Sequence, residues 1–277
     1  MTRLYRSFAK YALALVLTAL PVFAQSNELI RLTDRDDLFG WEAVGRVELR
    51  GNGYCTGVLI APDLVLTAAH CVFDSAGKPV PPDHIHFRAG LRDGIAIAER
   101  QASQVAASKA YQPGVGISAS NVRNDAALIR LSSPILSSVA APFVIHSNAQ
   151  AGDQVSVVSY GRGRDDALSW QRDCSVLQRG QGLFFLDCNV TFGSSGAPVF
   201  YRDGRRARIL SLISGGRFEG GKSVVAYGME LPAIVDQLKR DLRALPSKPS
   251  SGAKFQSVGQ NRGTSSSGAK FYSVGGS

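Results

Sequence analysis

Negative charge is missing from both ends of this sequence. The first 24 residues carry Arg3, Arg6 and Lys10 without an acid, and from Ser247 onward come Lys248, Lys254, Arg262 and Lys270, again without one. Of the formal +9, three charges therefore belong to the leading stretch and four to the tail, which leaves +2 over residues 25–246. A nearly neutral body argues against a basic nucleic-acid-binding face. Long apolar runs are lacking too. The stretch from Tyr11 to Leu20 is too short to span roughly 30 Å of hydrocarbon as a helix, and no other segment is a better candidate. Cysteine is scarce at four residues, which excludes a disulfide knot, and no two of them have the close spacing of a zinc site. Charged residues are only 19% against 44% hydrophobic, with a mean hydropathy of −0.01, so the chain has the material for a core and is not a disordered one.

What is present at the N-terminus is a basic region, an apolar run and then Pro21-Val22-Phe23-Ala24, the order of a secretory signal cleaved after Ala24. Residues 1–24 are thus expected to be removed, no stable membrane insertion is expected afterwards, and the protein is expected to be secreted, to a periplasm or beyond the cell. In an oxidising compartment Cys55, Cys71, Cys174 and Cys188 read as two disulfides. Of the three possible connectivities, local pairing is expected, because Cys55–Cys71 and Cys174–Cys188 each flank two short strand-like runs.

Short runs such as Val58-Leu59-Ile60, Leu64-Val65-Leu66, Ala127-Leu128-Ile129, Val155–Val158, Ile209–Ile213 and Val224-Val225 are separated by Gly, Pro, Asp or Asn clusters. Many short strands with turn signals between them predict an all-β sandwich or barrel. Helical spacing is clear once, where Ile234, Leu238, Leu242 and Leu245 share a face before Pro246 stops the helix. Residues 25–246 then form the folded body, with an internal boundary near 146. Residues 247–277 are a Gly/Ser-rich extension in which the motif SGAKFxSVG occurs twice, at 251–259 and 267–275. Two copies are too few for a solenoid, and the composition predicts a flexible tail.

Three segments carry chemistry. Gly193-Ser194-Ser195-Gly196-Ala197-Pro198 sets a serine in a glycine-flanked turn, the mount an acyl-transfer nucleophile needs if backbone N–H groups are to meet its oxyanion. His70, one of only four histidines, follows a strand-like run in Thr67-Ala-Ala-His-Cys71. Asp125 leads directly into an apolar strand, where it is costly to bury unless it accepts hydrogen bonds; the N–H of a histidine would supply one.

Together these segments resemble the trypsin-like serine peptidases of chymotrypsin fold. The resemblance rests on Cys55-Thr-Gly-Val-Leu-Ile60, Val65-Leu-Thr-Ala-Ala-His-Cys71, Asn124-Asp-Ala-Ala-Leu-Ile-Arg-Leu131 and Gly193-Ser-Ser-Gly-Ala-Pro198, in register from about 37 to 245. It implies two packed six-stranded antiparallel β-barrels with a C-terminal helix and a site in the cleft between them. It implies Ser195 as nucleophile, His70 as general base and acid, Asp125 as its partner, and the N–H groups of Gly193 and Ser195 as the oxyanion hole. It places Cys55–Cys71 beside the histidine and Ser214-Gly215-Gly216 on the strand that pairs with substrate, with Asn189 and Ala226 in the specificity pocket. The implied protein is a secreted, monomeric endopeptidase acting on protein or peptide substrates, with no metal or organic cofactor.

The departures from that family bear on mechanism. Ser194 stands where animal digestive members have the aspartate that receives a new N-terminal ammonium, and no Ile-Val-Gly-Gly-like activation sequence precedes the domain. The resemblance is therefore closer to secreted bacterial members. Ala197 replaces a usual glycine, and Thr191 replaces a usual cysteine. Asn189 replaces the aspartate that binds basic side chains, and Ile213 the histidine usual in glutamyl endopeptidases; neutral side chains are the expected preference. A peptidase-like binding or adhesion protein impaired in turnover is the alternative. An α/β-hydrolase is excluded, since no histidine follows Ser195. Gly216–Ser223 matches a phosphate-binding loop in letters only, because Val224-Val225 continues as a strand. His84 and His86 alternate along a possible strand, but no third metal ligand lies near them in sequence.

Overall fold

Ile85–Ala89 shows how the strands arise. Ile85, Phe87 and Ala89 are buried while His86 and Arg88 are partly exposed, the period-two pattern of a strand with one face on a core. The structure is a computed structural model that describes residues 29–51, 53–203 and 206–246. The expected signal peptide and the repeat-bearing tail lie outside the described residues. No described helix is long and apolar enough to cross a membrane.

A short strand β1 (Leu29–Arg31) opens the described chain. The strands β2 (Val44–Leu49), β3 (Gly53–Ala61), β4 (Leu64–Thr67), β5 (Ile85–Ala89), β6 (Ala98–Ala107) and β7 (Ala127–Leu131) close an antiparallel barrel in the order β2-β3-β4-β7-β6-β5. Inside it the ring of Phe87, fully buried, lies so near the backbone of Gly45 that a Cβ there would meet the ring at 2.5 Å. Glycine is required at that wall.

The second half holds β8 (Gln154–Gly161), β9 (Arg164–Gly180), β10 (Leu183–Leu186), β11 (Pro198–Asp203), β12 (Arg206–Leu212), β13 (Gly215–Glu219) and β14 (Lys222–Met229). Its order is β12-β11-β8-β9-β10-β14-β13, with β1 paired to β9. Here the structure departs from two equal six-stranded barrels: one barrel is closed and the other half is a curled sheet. Its ends approach each other at Ser211, whose Oγ donates to the Met229 carbonyl at 2.8 Å, and at Ser214, whose N–H reaches the Tyr227 carbonyl at 2.8 Å. The chain breaks from β12 after Leu212, so β13 lies beside β14 as a new edge instead of completing a ring of six.

The termini of the body cross over. β1 precedes the first barrel yet pairs with the second sheet, Ile30 opposite Trp170. A C-terminal helix follows the second sheet yet reaches the first barrel, where Lys109 and Asp241 meet at 3.1 Å. That helix spans Pro232–Ala244 and buries Val235, Leu238 and Leu242, whereas Leu245 lies beyond its end and is partly exposed. Ile234 packs against the same core, so the expected stripe holds at Ile234, Leu238 and Leu242, is widened by Val235 and loses only Leu245. Trp41, Phe143 and Phe200 fill the seam between the halves, with centroids 4.6–6.1 Å apart.

Two sequence lookalikes resolve into plain structure. Gly216–Ser223 is the β13–β14 hairpin, so no helix follows to bind phosphate. His84 ends a 3-10 turn (Pro82–His84) and only His86 lies on a strand, because Pro82 starts that turn.

Phe87→Ala is expected to destabilise the protein by about 3–5 kcal/mol, since it empties a filled barrel. Phe39→Ala, at an 86% exposed position, is expected to stay within about 0.5 kcal/mol. Urea unfolding with the disulfides intact checks both; equal effects would contradict the packing described.

Candidate active site

His70 and Asp125 come from neighbouring strand ends. Thr67 of β4 pairs with Ala127 of β7, so the residue three beyond the first strand faces the residue two before the second. His70 sits in a 3-10 turn, Ala69–Val72, whose Cys71 is bonded to Cys55 of β3. Asp125 follows a short helix, Ala119–Arg123, and its N–H caps the carbonyl of Val122 at 3.2 Å. Asn121 braces the preceding loop, accepting from the Gln112 N–H at 2.9 Å and donating to the carbonyls of Gln112 and Gly116.

The Asp125 side chain is 3% exposed, and its charge is satisfied by three donors. One oxygen accepts the His70 backbone N–H at 2.9 Å; the other accepts His70 Nδ1 at 2.8 Å and the Ser214 hydroxyl at 2.6 Å. A carboxylate only accepts, so the imidazole proton lies on Nδ1 and Nε2 is left as an acceptor. Burial pulls the pKa of His70 down, but the charge of Asp125 and its hydrogen bond act upward and the net shift is above the ordinary 6.5. The same carboxylate, after burial, raises the Tyr111 phenol to about 12.

The second half supplies Ser195 on the turn before β11. Gly193 and Gly196 adopt φ of +92° and +74°, where a side chain is strained. There is also no room for one: a Cβ on Gly193 would strike the Tyr54 ring, and one on Gly196 would strike Thr67 Oγ1 and the Thr56 carbonyl. Thr56, fully buried on β3, fastens this turn across the cleft. Its N–H donates to the Ser195 carbonyl at 2.9 Å and its hydroxyl to the Gly193 carbonyl at 2.9 Å. The N–H groups of Gly193 and Ser195 have no acceptor among the described residues. Ala197, in place of glycine, is fully buried without breaking the turn, and its N–H reaches the Ser194 carbonyl at 3.0 Å.

The structure brings His70, Asp125 and Ser214 into one hydrogen-bonded group. It sets the Ser195 turn against β3 without a Ser195–His70 hydrogen bond. Gly215 and Gly216 on β13, the last strand of the sheet, pair with Tyr227 and Ala226 of β14. Asn189 is exposed, its N–H held by Gln171 Oε1 at 2.6 Å, while Ala226 and Val190 are buried beside Gly216. Cys174 and Cys188 are bonded, so neither cysteine pair offers a thiolate to a metal. Sequence reasoning missed Thr56, Tyr54 and the Ser214–Asp125 bond. Thr56 lies in the Cys55–Ile60 segment and Tyr54 just before it, but neither has a role that residue type or spacing announces; Ser214 stood in the expected substrate strand but not as a donor to Asp125.

The structure is similar to a Glu endopeptidase solved in complex with MPD, at TM-score 0.59 and 19% identity over 73% of this chain and 91% of that one. It is similar to protease Anisep from Arthrobacter nicotinovorans, at TM-score 0.60 and 19% identity over 74% of this chain and 96% of that one. It is likewise similar to AL20, a thermostable serine protease from an extremophilic microorganism, at TM-score 0.59 and 20% identity over 74% and 98%. At these identities the likeness shows the fold, which is that of the chymotrypsin-type serine proteases. No curated protein matches the sequence significantly. The model of the trypsin-like peptidase domain matches residues 55–206, more than half of the chain and from Cys55 past the Ser195 turn, and the chain therefore belongs to the trypsin-like peptidase family.

Proposed function

We propose that this protein is a secreted serine endopeptidase that cleaves peptide bonds through an acyl-enzyme, with Ser195, His70 and Asp125 as its catalytic residues. The observation that carries the reading is the buried carboxylate of Asp125 on His70 Nδ1. That bond leaves a basic imidazole nitrogen free in a cleft whose other wall is the Ser195 turn.

The chemistry follows from the groups present. His70 Nε2 takes the proton of the Ser195 hydroxyl as its oxygen attacks the scissile carbonyl carbon. The carbonyl oxygen becomes an oxyanion and is met by the unclaimed N–H groups of Gly193 and Ser195. Collapse breaks the C–N bond; His70 passes its proton to the leaving amine, and the acyl group stays on Ser195 Oγ. Water, giving a proton to His70, attacks the ester, and the carboxylic acid product leaves as Ser195 regains its proton. β13 is an edge strand, so the backbone from Ser214, just before it, to Gly216 is open to pair with an extended substrate. The exposed Asn189 is neutral and offers no counter-charge to a basic side chain, while Val190 and Ala226, buried beside Gly216, favour an uncharged side chain next to the cut.

Secretion is part of this proposal and rests on the leader sequence together with two disulfides.

A fluorophosphonate probe is expected to label the exported protein and not its Ser195→Ala variant; absence of labelling in both, with both folded, would favour the impaired binding protein. The pH dependence has a fixed sign. Catalysis needs neutral His70, whose pKa is raised, so kcat/KM is expected to fall on the acid side with a midpoint above 6.5, and a midpoint below it would contradict the Asp125 contact. Asp125→Asn removes the charge and should lower kcat by about 10⁴-fold. Stability runs the other way. The His70–Asp125 charge pairing contributes fully below the unfolded-state pKa and is lost as pH rises through the folded one, a slope in Tm that His70→Ala should lack.

A further inference from the structure

We infer that Arg164 is a positioning residue that sets the Ser195 turn through Ser194. The inference rests on the reading of Ser195 as nucleophile. β9 begins at Arg164, just after Gly161-Arg162-Gly163, and the side chain folds back over that turn. A Cβ on Gly161 would lie 2.7 Å from Arg164 Cζ and 2.7 Å from Thr191 Cγ2, so the absence of a side chain there makes the space the guanidinium occupies.

In that space the guanidinium spends its donors on two serines. Nη1 donates to the Ser159 carbonyl at 2.8 Å, and Nη2 reaches both Ser159 Oγ and Ser194 Oγ at 3.2 Å. Ser194 is fully buried between the two residues whose N–H groups face the oxyanion position. Its hydroxyl also accepts the Thr191 N–H at 3.3 Å and donates to the Tyr160 carbonyl at 3.2 Å. Arg164 has no carboxylate within ion-pair distance among the described residues, and burial brings its pKa down to about 10. Placing a cation there without a counter-charge is unfavourable to the fold. What the arrangement gives in return is a rigid five-donor fork, fixed by the end of β8 and the start of β9, on the one side chain inside the nucleophile turn.

The consequence is a turn whose geometry is built in. Beside the close contacts with Tyr54 and Thr67, two side chains hydrogen-bond that stretch to its surroundings: Thr56 on the Gly193 carbonyl and Ser194 on the body of the second sheet. Without Arg164 the Ser194 hydroxyl loses its charged donor and keeps, besides the Tyr160 carbonyl, only the neutral contacts with the Thr191 N–H and the Ser159 hydroxyl, both at 3.3 Å, and the turn samples arrangements in which the two N–H groups no longer converge. No cleavage of the chain is required to order it.

The test is the fluorophosphonate labelling rate of the exported protein and of Arg164→Gln, Ser194→Ala and the double variant, with peptide kinetics alongside. Arg164→Gln should slow labelling and kcat by about 10- to 100-fold, with labelling still reaching one probe per chain and KM nearly unchanged. Ser194→Ala should slow it as well, and the double variant should be no slower than the slower single one. The inference is overturned if Arg164→Gln labels at the wild-type rate. It is equally overturned if only a fraction of molecules label, at the wild-type rate, or if the two effects multiply. Should Arg164→Gln fail to fold, Arg164→Lys keeps the charge without the fork and should slow labelling in the wild-type background but not beyond Ser194→Ala when combined with it. Silence of the folded wild type would sink the nucleophile reading, and this one with it.

Discussion

A carboxylate with 3% of its surface left to solvent must find donors or lose its charge, and most of the site can be understood from how Asp125 finds them. Two come from His70, backbone and ring, because β4 and β7 are neighbours in the closed barrel. The third comes from Ser214, in the other half of the molecule. The satisfaction of one buried charge therefore fixes the imidazole tautomer and ties the curled sheet to the barrel. The same interaction sets opposite demands: it raises the pKa of His70 and so favours the charged ring, while the proposed chemistry uses the neutral one.

The facing wall is held by different means. The Ser195 turn has two glycines with positive φ and no room for side chains, so its shape is imposed by close contacts with Tyr54, Thr56 and Thr67. Thr56 is central, since a single residue of β3 hydrogen-bonds to the carbonyls of both Gly193 and Ser195 and also accepts the Tyr160 N–H. It sits next to Cys55, whose bond to Cys71 anchors the histidine turn. One strand thus braces both the His70 turn and the Ser195 turn, and the crossed termini, β1 on the second sheet and the C-terminal helix on the barrel, tie the two halves together.

Much of this was legible in the sequence because the relevant signals are local. Short apolar runs between turn residues are strand signals, and every run singled out falls on a strand, with Ile213 just past the end of β12. The cysteines each pair across a short loop, a spacing of 16 and 14 residues. What was misread was also local in kind. Alternation at His84 and His86 suggested a strand face that Pro82 prevents, and Leu245 was placed on a helix that ends at Ala244. The closure of the second sheet was overstated, since no residue pattern announces that the chain leaves β12 at Leu212.

Composition and order along the chain determined an all-β body, its near-neutral net charge, and the order His70, Asp125, Ser195 of the segments proposed to carry the chemistry. These depend on spacing and residue type, which a linear string contains. Only the tertiary structure decided that Ser214 shares the Asp125 carboxylate, that Thr56 braces the Ser195 turn, and that Arg164 lies against Ser194. Those contacts join residues 89, 139 and 30 positions apart through single hydrogen bonds. Such pairings leave no periodic trace in sequence, because they arise where two separately formed sheets happen to place a donor opposite an acceptor.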